Sequence, residues 1–487
     1  MFLSLSRASR LSRLSALALS LLLAYPALLH ADDLPDLGDV SQNELSPAME
    51  KQIGQKVMNE IRQDPSFLDD PEVTTYLNQV GGRLAAACPD PGYGFIFFAM
   101  KDPTINAFAT YGGYVGVNTG LLLAAQSESE LAGVLAHELS HVTQHHLARG
   151  ITTSKQQSIA AMVAMGLALL AARNNPQVAG GAMAATQAAA VQSQLAYSRD
   201  YEREADRIGF QTLQKAGFDP RAMGEFFSRL AKATRVYENN APAYLRTHPL
   251  TTERIADMEN RAQNAHYKQV PDSLDFQLIR AKLRAQQGTP ADAVADFSSL
   301  LKEKKFSSEA ATHYGLAQAQ LRARDFAGAE KEVQLLHRLK AVSPLVDNLA
   351  ASLRSAQGDP AGAAALLRSA MKTYPGNPAL IYAYGDALYA EGQYSTLIAF
   401  LDNQRQYRPQ DYRLYGLEAK TYSAMGRHLQ QHRAQAEYYA LLGQTAQAIE
   451  QLQLAQQAGD GNFYELSMVD ARLRELRRRQ QDEMKDR

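Results

Sequence analysis

The chain has 487 residues, with 50 lysines and arginines against 51 aspartates and glutamates. That balance excludes a chain that is polybasic throughout, and 46% hydrophobic with 21% charged residues excludes global disorder. A lone cysteine, Cys88, excludes an intramolecular disulfide, a cysteine zinc finger and an iron–sulfur site.

Residues 1–31 read as a secretory signal: Arg7, Arg10 and Arg13, then an apolar run from Leu14 to Leu29, then Ala31 before Asp32 and Asp33. The run is short and holds Pro26, which argues against an uncleaved membrane anchor. The implied destination lies outside the cytoplasm, most simply a bacterial periplasm. Met49, Ile53, Val57, Met58 and Ile61 predict a helix over 46–63. Pro71 opens a second helix, through Val73, Tyr76, Leu77, Val80 and Leu84, which Pro89 and Pro91 stop. Phe95–Met100 reads as a strand. Asn106–Thr110 and Tyr114–Asn118 read as two more, with Gly112 and Gly113 turning between them. A long helix is predicted from Ser127 to Arg149, capped by Ser127 with Glu128 and Glu130 in its first turn.

Residues 158–195 are rich in alanine, glycine and methionine. Their apolar run 159–172 is too short to span a bilayer comfortably. It reads as a buried hairpin, or as a lid, a membrane-touching element or an adaptable partner surface. Helices are predicted over 195–216, ending at Gly217, and from Met223 to Lys268 with breaks near Pro242 and Pro249.

Beyond residue 270 the chain repeats. Turns around Gly288, Arg324, Gly358, Gly392 and Gly426 are spaced by 36, 34, 34 and 34 residues. That period, between helical runs, points to helix–turn–helix repeats of the tetratricopeptide kind. Gly443 follows Gly426 by only 17 residues, so the register is expected to fail there and the last helices to act as caps. Arg472–Arg479 reads as a solvated terminal helix.

The chemical signal is His137-Glu138-Leu139-Ser140-His141. On a helix, residues four apart share a face, so both imidazoles can reach one zinc ion. Glu138 projects near the same side, where it can act as general base and then acid in peptide hydrolysis. A third ligand is needed. Gln144 and Leu147 stand where a metzincin would carry glycine and histidine, and His145 on the same helix would reach the metal poorly. Glu202 and Asp206, four apart on a later helix, fit better: Glu202 as ligand, Asp206 as acceptor for a ligating histidine's other N–H. Glu204 is expected to point elsewhere, to the surface. His248, in Thr247-His248-Pro249, can stabilise the oxyanion or fill the open zinc position and hold the enzyme latent. The residues leave both roles open. His145 and His146 read as favouring the negative helix end. The strands before the zinc helix offer an edge to which an extended substrate can add.

Asn106-Ala107-Phe108, Gly112–Gly113, His137–His141, Ser198-Arg199 with Glu202 and Asp206, and Thr247-His248-Pro249 together resemble the zinc peptidases that include HtpX and the CAAX prenyl-protein endopeptidase. The resemblance covers about residues 45–262, and Arg254 recurs within it. A secreted member followed by tetratricopeptide repeats resembles the periplasmic proteases that attend outer-membrane assembly. The expected fold is mainly α: a zincin-type peptidase domain with a small β-sheet, then an α-solenoid. The expected division is signal 1–31, peptidase 32–269 and repeats 270–487. One zinc per subunit is expected. The resemblance implies partners among unfolded or misassembled outer-membrane proteins, the β-barrel assembly machinery and the lipopolysaccharide-transport barrel, with peripheral membrane contact through 158–195 and no nucleic acid. The rival reading is a non-proteolytic chaperone or scaffold that binds partners through its repeats.

Overall fold

The computed structural model describes residues 46–90, 94–150, 199–236, 243–265 and 270–485. Residues 1–31, read above as a signal, and the 158–195 segment lie outside the described residues. α1 (Pro47–Ile61) and α2 (Pro71–Ala87) each begin with proline at the first helical position, behind the side-chain caps Ser46 and Asp70. Three strands follow: β1 (Ile96–Met100), β2 (Ala107–Thr110) and β3 (Tyr114–Asn118), in the order β1-β3-β2. β2 and β3 form the expected hairpin, with Thr110 opposite Tyr114. Its turn needs left-handed backbone, which Gly112 (φ 74°) and Gly113 (φ 84°) supply. The β1–β3 pairing is parallel. The outer side of β1 is partly paired, through Leu68 N–H to Ala99 O at 3.0 Å, which leaves β2 as the other edge.

α3 (Thr119–Ala124) leads to α4 (Glu128–Thr143), capped by Ser127 as the sequence predicts. α4 ends earlier than expected. His145 takes φ 51°, a left-handed conformation that no helix can continue through, and Glu50 Oε1 meets its Nδ1 at 3.1 Å. A separate short α5 (His146–Gly150) starts there. α6 (Arg199–Lys215), α7 (Arg221–Val236), α8 (Ala243–Thr247) and α9 (Thr252–Asn264) follow the predicted pattern and its breaks.

Twelve further helices make six pairs: α10 (Leu274–Ala285) with α11 (Pro290–Glu303), α12 (Glu309–Arg322) with α13 (Phe326–Arg338), α14 (Pro344–Ala356) with α15 (Pro360–Thr373), α16 (Pro378–Glu391) with α17 (Tyr394–Tyr407), α18 (Tyr412–Ala424) with α19 (His428–Leu441), and α20 (Thr445–Gln457) with α21 (Phe463–Lys485). All five predicted turn residues have positive φ, from 56° at Gly288 to 84° at Gly358. The expected loss of register is not observed. Gly443 (φ 75°) lies between pairs, while Gly459 (φ 77°) is the sixth turn within a pair, 33 residues after Gly426. Two kinds of turn carry glycine here, and the sequence does not distinguish them.

One apolar cluster runs from Val73 and Leu77 of α2 through α4 to Phe276, Tyr314 and Leu353 of the repeats. The described residues form one compact unit. Polar contacts reinforce it. Lys282 of α10 reaches Asp70 at 2.6 Å and Glu72 at 2.5 Å. Asn348 of α14 donates to Glu72 at 2.7 Å, and Arg413 of α18 pairs with Asp69. Among the described residues no helix is long and apolar enough to cross a membrane. Cys88 is buried and unbridged.

Candidate metal centre

All sixteen residues of α4 are buried, because α2, β2, α6 and α7 pack around it. Small residues set the closest approaches. A side chain on Gly209 of α6 would meet the backbone N of His137 at 3.1 Å, and one on Gly133 would meet Met223 at 3.0 Å. Gly209, Asp206 and Glu202 share one face of α6. The approach that glycine permits therefore carries both carboxylates onto His137 and His141. From the other side, the hydroxyl of Thr251 accepts from Arg254 N–H and caps α9, whose first turn delivers Arg254. His248 follows α8 directly, its N–H bonded to Tyr244 O at 2.9 Å.

Four potential ligand atoms, from His137, His141, Glu202 and His248, lie within 4.8 Å of one another, and all four residues are buried. His137 Nε2 is 3.0 Å from His141 Nε2, 3.4 Å from His248 Nδ1 and 3.5 Å from Glu202 Oε2. Glu202 Oε1 is 2.9 Å from His248 Nδ1 and 3.6 Å from His141 Nε2. Donors about 2.0–2.1 Å from a tetrahedral ion lie about 3.3–3.4 Å apart, so these separations match one ion's ligand shell. The charge count agrees. Glu138, Glu202 and Asp206 are all buried around the cluster with the Arg254 guanidinium, a surplus of carboxylates over guanidinium that suits a cation site.

The electrostatics point the same way. Burial disfavours a charged His137, yet the Asp206 and Glu202 carboxylates outweigh it and raise its pKa to about 9. Burial and then neighbouring His137 push His141 well below the ordinary range, which keeps it neutral. Burial would raise Glu202, but His248 and His137 hold it well below the usual carboxylate range. Asp206 is lowered likewise: burial opposes, and Arg254 and His137 prevail.

The predicted site residues converge. His137, His141 and Glu202 face one point. Asp206 Oδ1 lies 3.0 Å from His137 Nδ1, the neighbour that a ligating ring's second nitrogen needs. Arg254 meets Asp206 through Nε at 2.7 Å and Nη2 at 2.8 Å, and reaches Glu202 Oε2 through Nη1 at 2.7 Å. His248 stands inside the ligand cluster through Nδ1, while its Nε2 lies 3.4 Å from Glu138 Oε1. Neither Glu138 oxygen makes a hydrogen bond among the described residues.

One expectation is corrected. His146 does not stand at the negative end of α4, because it opens α5. It is 1% exposed, and its Nδ1 lies 2.9 Å from His141 Nδ1. Glu204 lies outside the ligand cluster, as expected, and bonds His146 Nε2 and Arg149 Nη1, each at 3.1 Å. The break at His145 turns His146 inward, and helical periodicity gives no sign of that break. Sequence reasoning also passed over Tyr244, which is 1% exposed and stacks on His248 at 4.7 Å. Its spacing of four residues from His248 was the available clue. Asn106 is fully buried, and neither of its side-chain polar atoms is hydrogen-bonded among the described residues.

Comparison with known proteins agrees with this site. Residues 71–262 match the family described as peptidase family M48, and residues 355–421 match a tetratricopeptide repeat family. A Vibrio cholerae protein, provisionally named a beta-barrel assembly-enhancing protease, is 41% identical over 310 residues, 63% of this chain and 64% of that one. The Escherichia coli beta-barrel assembly-enhancing protease is 32% identical over 454 residues, 93% of this chain and 92% of that one. The mitochondrial metalloendopeptidase OMA1 of Schizosaccharomyces pombe is 30% identical over 233 residues, 46% of this chain and 65% of that one. With a histidine–glutamate cluster fit for a divalent ion and a relative aligned along nearly its whole length, this chain is a metalloprotease belonging to peptidase family M48, followed by tetratricopeptide repeats.

Proposed function

We propose that the chain is a zinc endopeptidase of the bacterial periplasm, that it degrades misassembled outer-membrane proteins and aids β-barrel and lipopolysaccharide-transport assembly, and that the arrangement described above is its latent state. The proposed division is a signal at 1–31, a peptidase at 32–269 and a partner-binding repeat arm at 270–487. His137, His141 and Glu202 would hold the ion. Zinc, when bound, supplies Lewis-acid polarisation and acidifies a water toward a pKa of about 7. The protein supplies the rest. Glu138 takes the proton of the attacking water and returns it to the departing amine. Asp206 fixes the His137 ring, with Arg254 holding Asp206 in place. The β2 edge can receive an extended substrate through main-chain bonds.

The position of His248 carries the latency. Its Nδ1 lies with the other ligand atoms, where it would fill the fourth position, and its Nε2 lies beside Glu138. One side chain thereby takes the place of the attacking water and covers the base. The test uses mature protein with its zinc quantified and an unfolded outer-membrane barrel protein as substrate. Glu138→Gln should keep its zinc and lose cleavage by about 100-fold or more. His248→Ala should cleave faster than the parent. A His248→Ala protein no faster than the parent removes the latency. Cleavage that survives Glu138→Gln removes the mechanism. The scaffold reading gains if no variant cleaves while zinc is bound and barrel assembly is still assisted.

A further inference from the structure

The pair of carboxylates on α6 serves His137, so a different contact must orient His141. His141 Nδ1 lies 2.9 Å from His146 Nδ1, and His146 Nε2 lies 3.1 Å from Glu204 Oε2. Glu204 is in turn met by Arg149 Nη1 at 3.1 Å. The His146 ring stacks on Tyr201 at 4.5 Å and 10°, and the Arg149 guanidinium lies over the same ring at 4.7 Å. Two residues of α5 and two of α6 thus form a clasp, and its inner end touches a metal-ligand candidate.

The protons along this chain of bonds can be assigned. A carboxylate only accepts, so His146 Nε2 carries the proton that Glu204 receives. With that proton on Nε2, the other ring nitrogen, Nδ1, is the one that can accept, and it is the atom facing His141. The proton between the two imidazoles therefore sits on His141 Nδ1. His141 Nε2 is left with its lone pair directed into the cluster, the tautomer that a metal ligand requires.

We infer that His146, held by Glu204, is the positioning residue for His141: it fixes the ring and its tautomer as Asp206 does for His137, and so sets the affinity of the site for its ion. The inference rests on the metal reading of the site. It gives the two histidines of one helix different supports. His137 leans on a carboxylate buried with Arg254. His141 leans on an imidazole whose carboxylate, Glu204, is 28% exposed. It also gives a function to the left-handed turn at His145, because a continuous helix would place His146 elsewhere.

The test measures zinc affinity and zinc release to a chromogenic chelator, with the absorption spectrum of the cobalt-substituted protein as a second readout. His146→Phe keeps the ring stack on Tyr201 and removes both nitrogens. It should weaken zinc binding by about 10–100-fold and alter the cobalt spectrum. His146→Asn offers an acceptor to the same N–H and should recover much of that loss. Glu204→Leu leaves the buried ring untouched and should speed zinc release severalfold, so the inference stays open to test even if His146→Phe does not fold. Unchanged zinc affinity in His146→Phe or in Glu204→Leu overturns the inference. Equal losses in His146→Phe and His146→Asn also overturn it, because they mark a packing role. A parent protein that retains no zinc overturns the metal reading itself, and the inference falls with it.

Discussion

In α4 every residue is buried, including Glu128, Glu130, His137, Glu138, Ser140 and His141; in α15 only Ala363, Ala364, Leu367 and Ala370 are. The two helices are of similar length, and they solve different problems. α15 presents an apolar stripe to its neighbours and leaves its polar groups to water. Its one polar anchor is local: Asp359 accepts from Gly362 N–H, three residues on. α4 takes its polar groups into the interior, and its two site histidines find partners from other parts of the chain: Asp206, Glu202 and His248 for His137, and His146 for His141. Stability in the repeats is therefore a sum of neighbouring contacts, whereas at the centre it belongs to a network that acts as one unit.

That contrast can be tested by mutation. Arg254→Met should have the largest effect, because it strands Asp206 and Glu202 as buried charges without a guanidinium. A loss of about 3–5 kcal/mol in denaturant unfolding of the metal-free protein is expected. Adding Asp206→Asn should then cost far less than its single-mutant value. Full additivity of the two would count against the network. Leu367→Ala, in the apolar core of the repeats, should cost about 3 kcal/mol and leave zinc affinity unchanged. A changed affinity would show that the two regions are energetically joined.

Glu418 is the exception that sharpens the rule, a buried carboxylate within the repeats. Burial raises it to about 7, against the pull of Arg405 at 2.7 Å. A raised carboxyl favours the protonated folded state. Its contribution is present below the unfolded value of 4.5 and is lost as pH rises through about 7. Relative to the parent, Glu418→Gln should gain stability between pH 5 and pH 8, by no more than about 3 kcal/mol. Parallel stability curves for the two proteins would rule the shift out. The smallest effects belong to the caps. Asp359→Ala and Asp325→Ala should cost about 1 kcal/mol each. Standing in separate repeats, they should add when combined; a marked departure would break the picture of local sums.

The same contrast explains what could be read from the residues alone. The repeats were legible because their rules are local: a 34-residue period, a positive-φ position in each turn, and capped helix starts. His137, Glu138, His141, Glu202 and Asp206 were legible because four-residue spacing puts each set on one helical face. Their convergence was inferred from the need for a third ligand; how it is achieved, with Gly209 letting two helices touch, was not legible. His146 was misread because a left-handed histidine follows from the Glu50 contact and the inward pull of His141 and Glu204, all remote in sequence. The parallel β1–β3 pairing and the Gly459 turn were missed for related reasons. Strand partners are chosen by packing, and a glycine marks a turn without saying which turn it is.

The acidic edge formed by Asp69, Asp70 and Glu72 meets Lys282, Asn348 and Arg413, partners 210, 276 and 344 positions away from the carboxylates they bond. A chain emerges N-terminus first, whether from a ribosome or from a translocation channel. This edge therefore stays partly uncovered until the fifth pair of repeat helices has followed it. A helix made late closes over the first ones made, and a chain interrupted before it would keep α4 while leaving that early surface without its full cover.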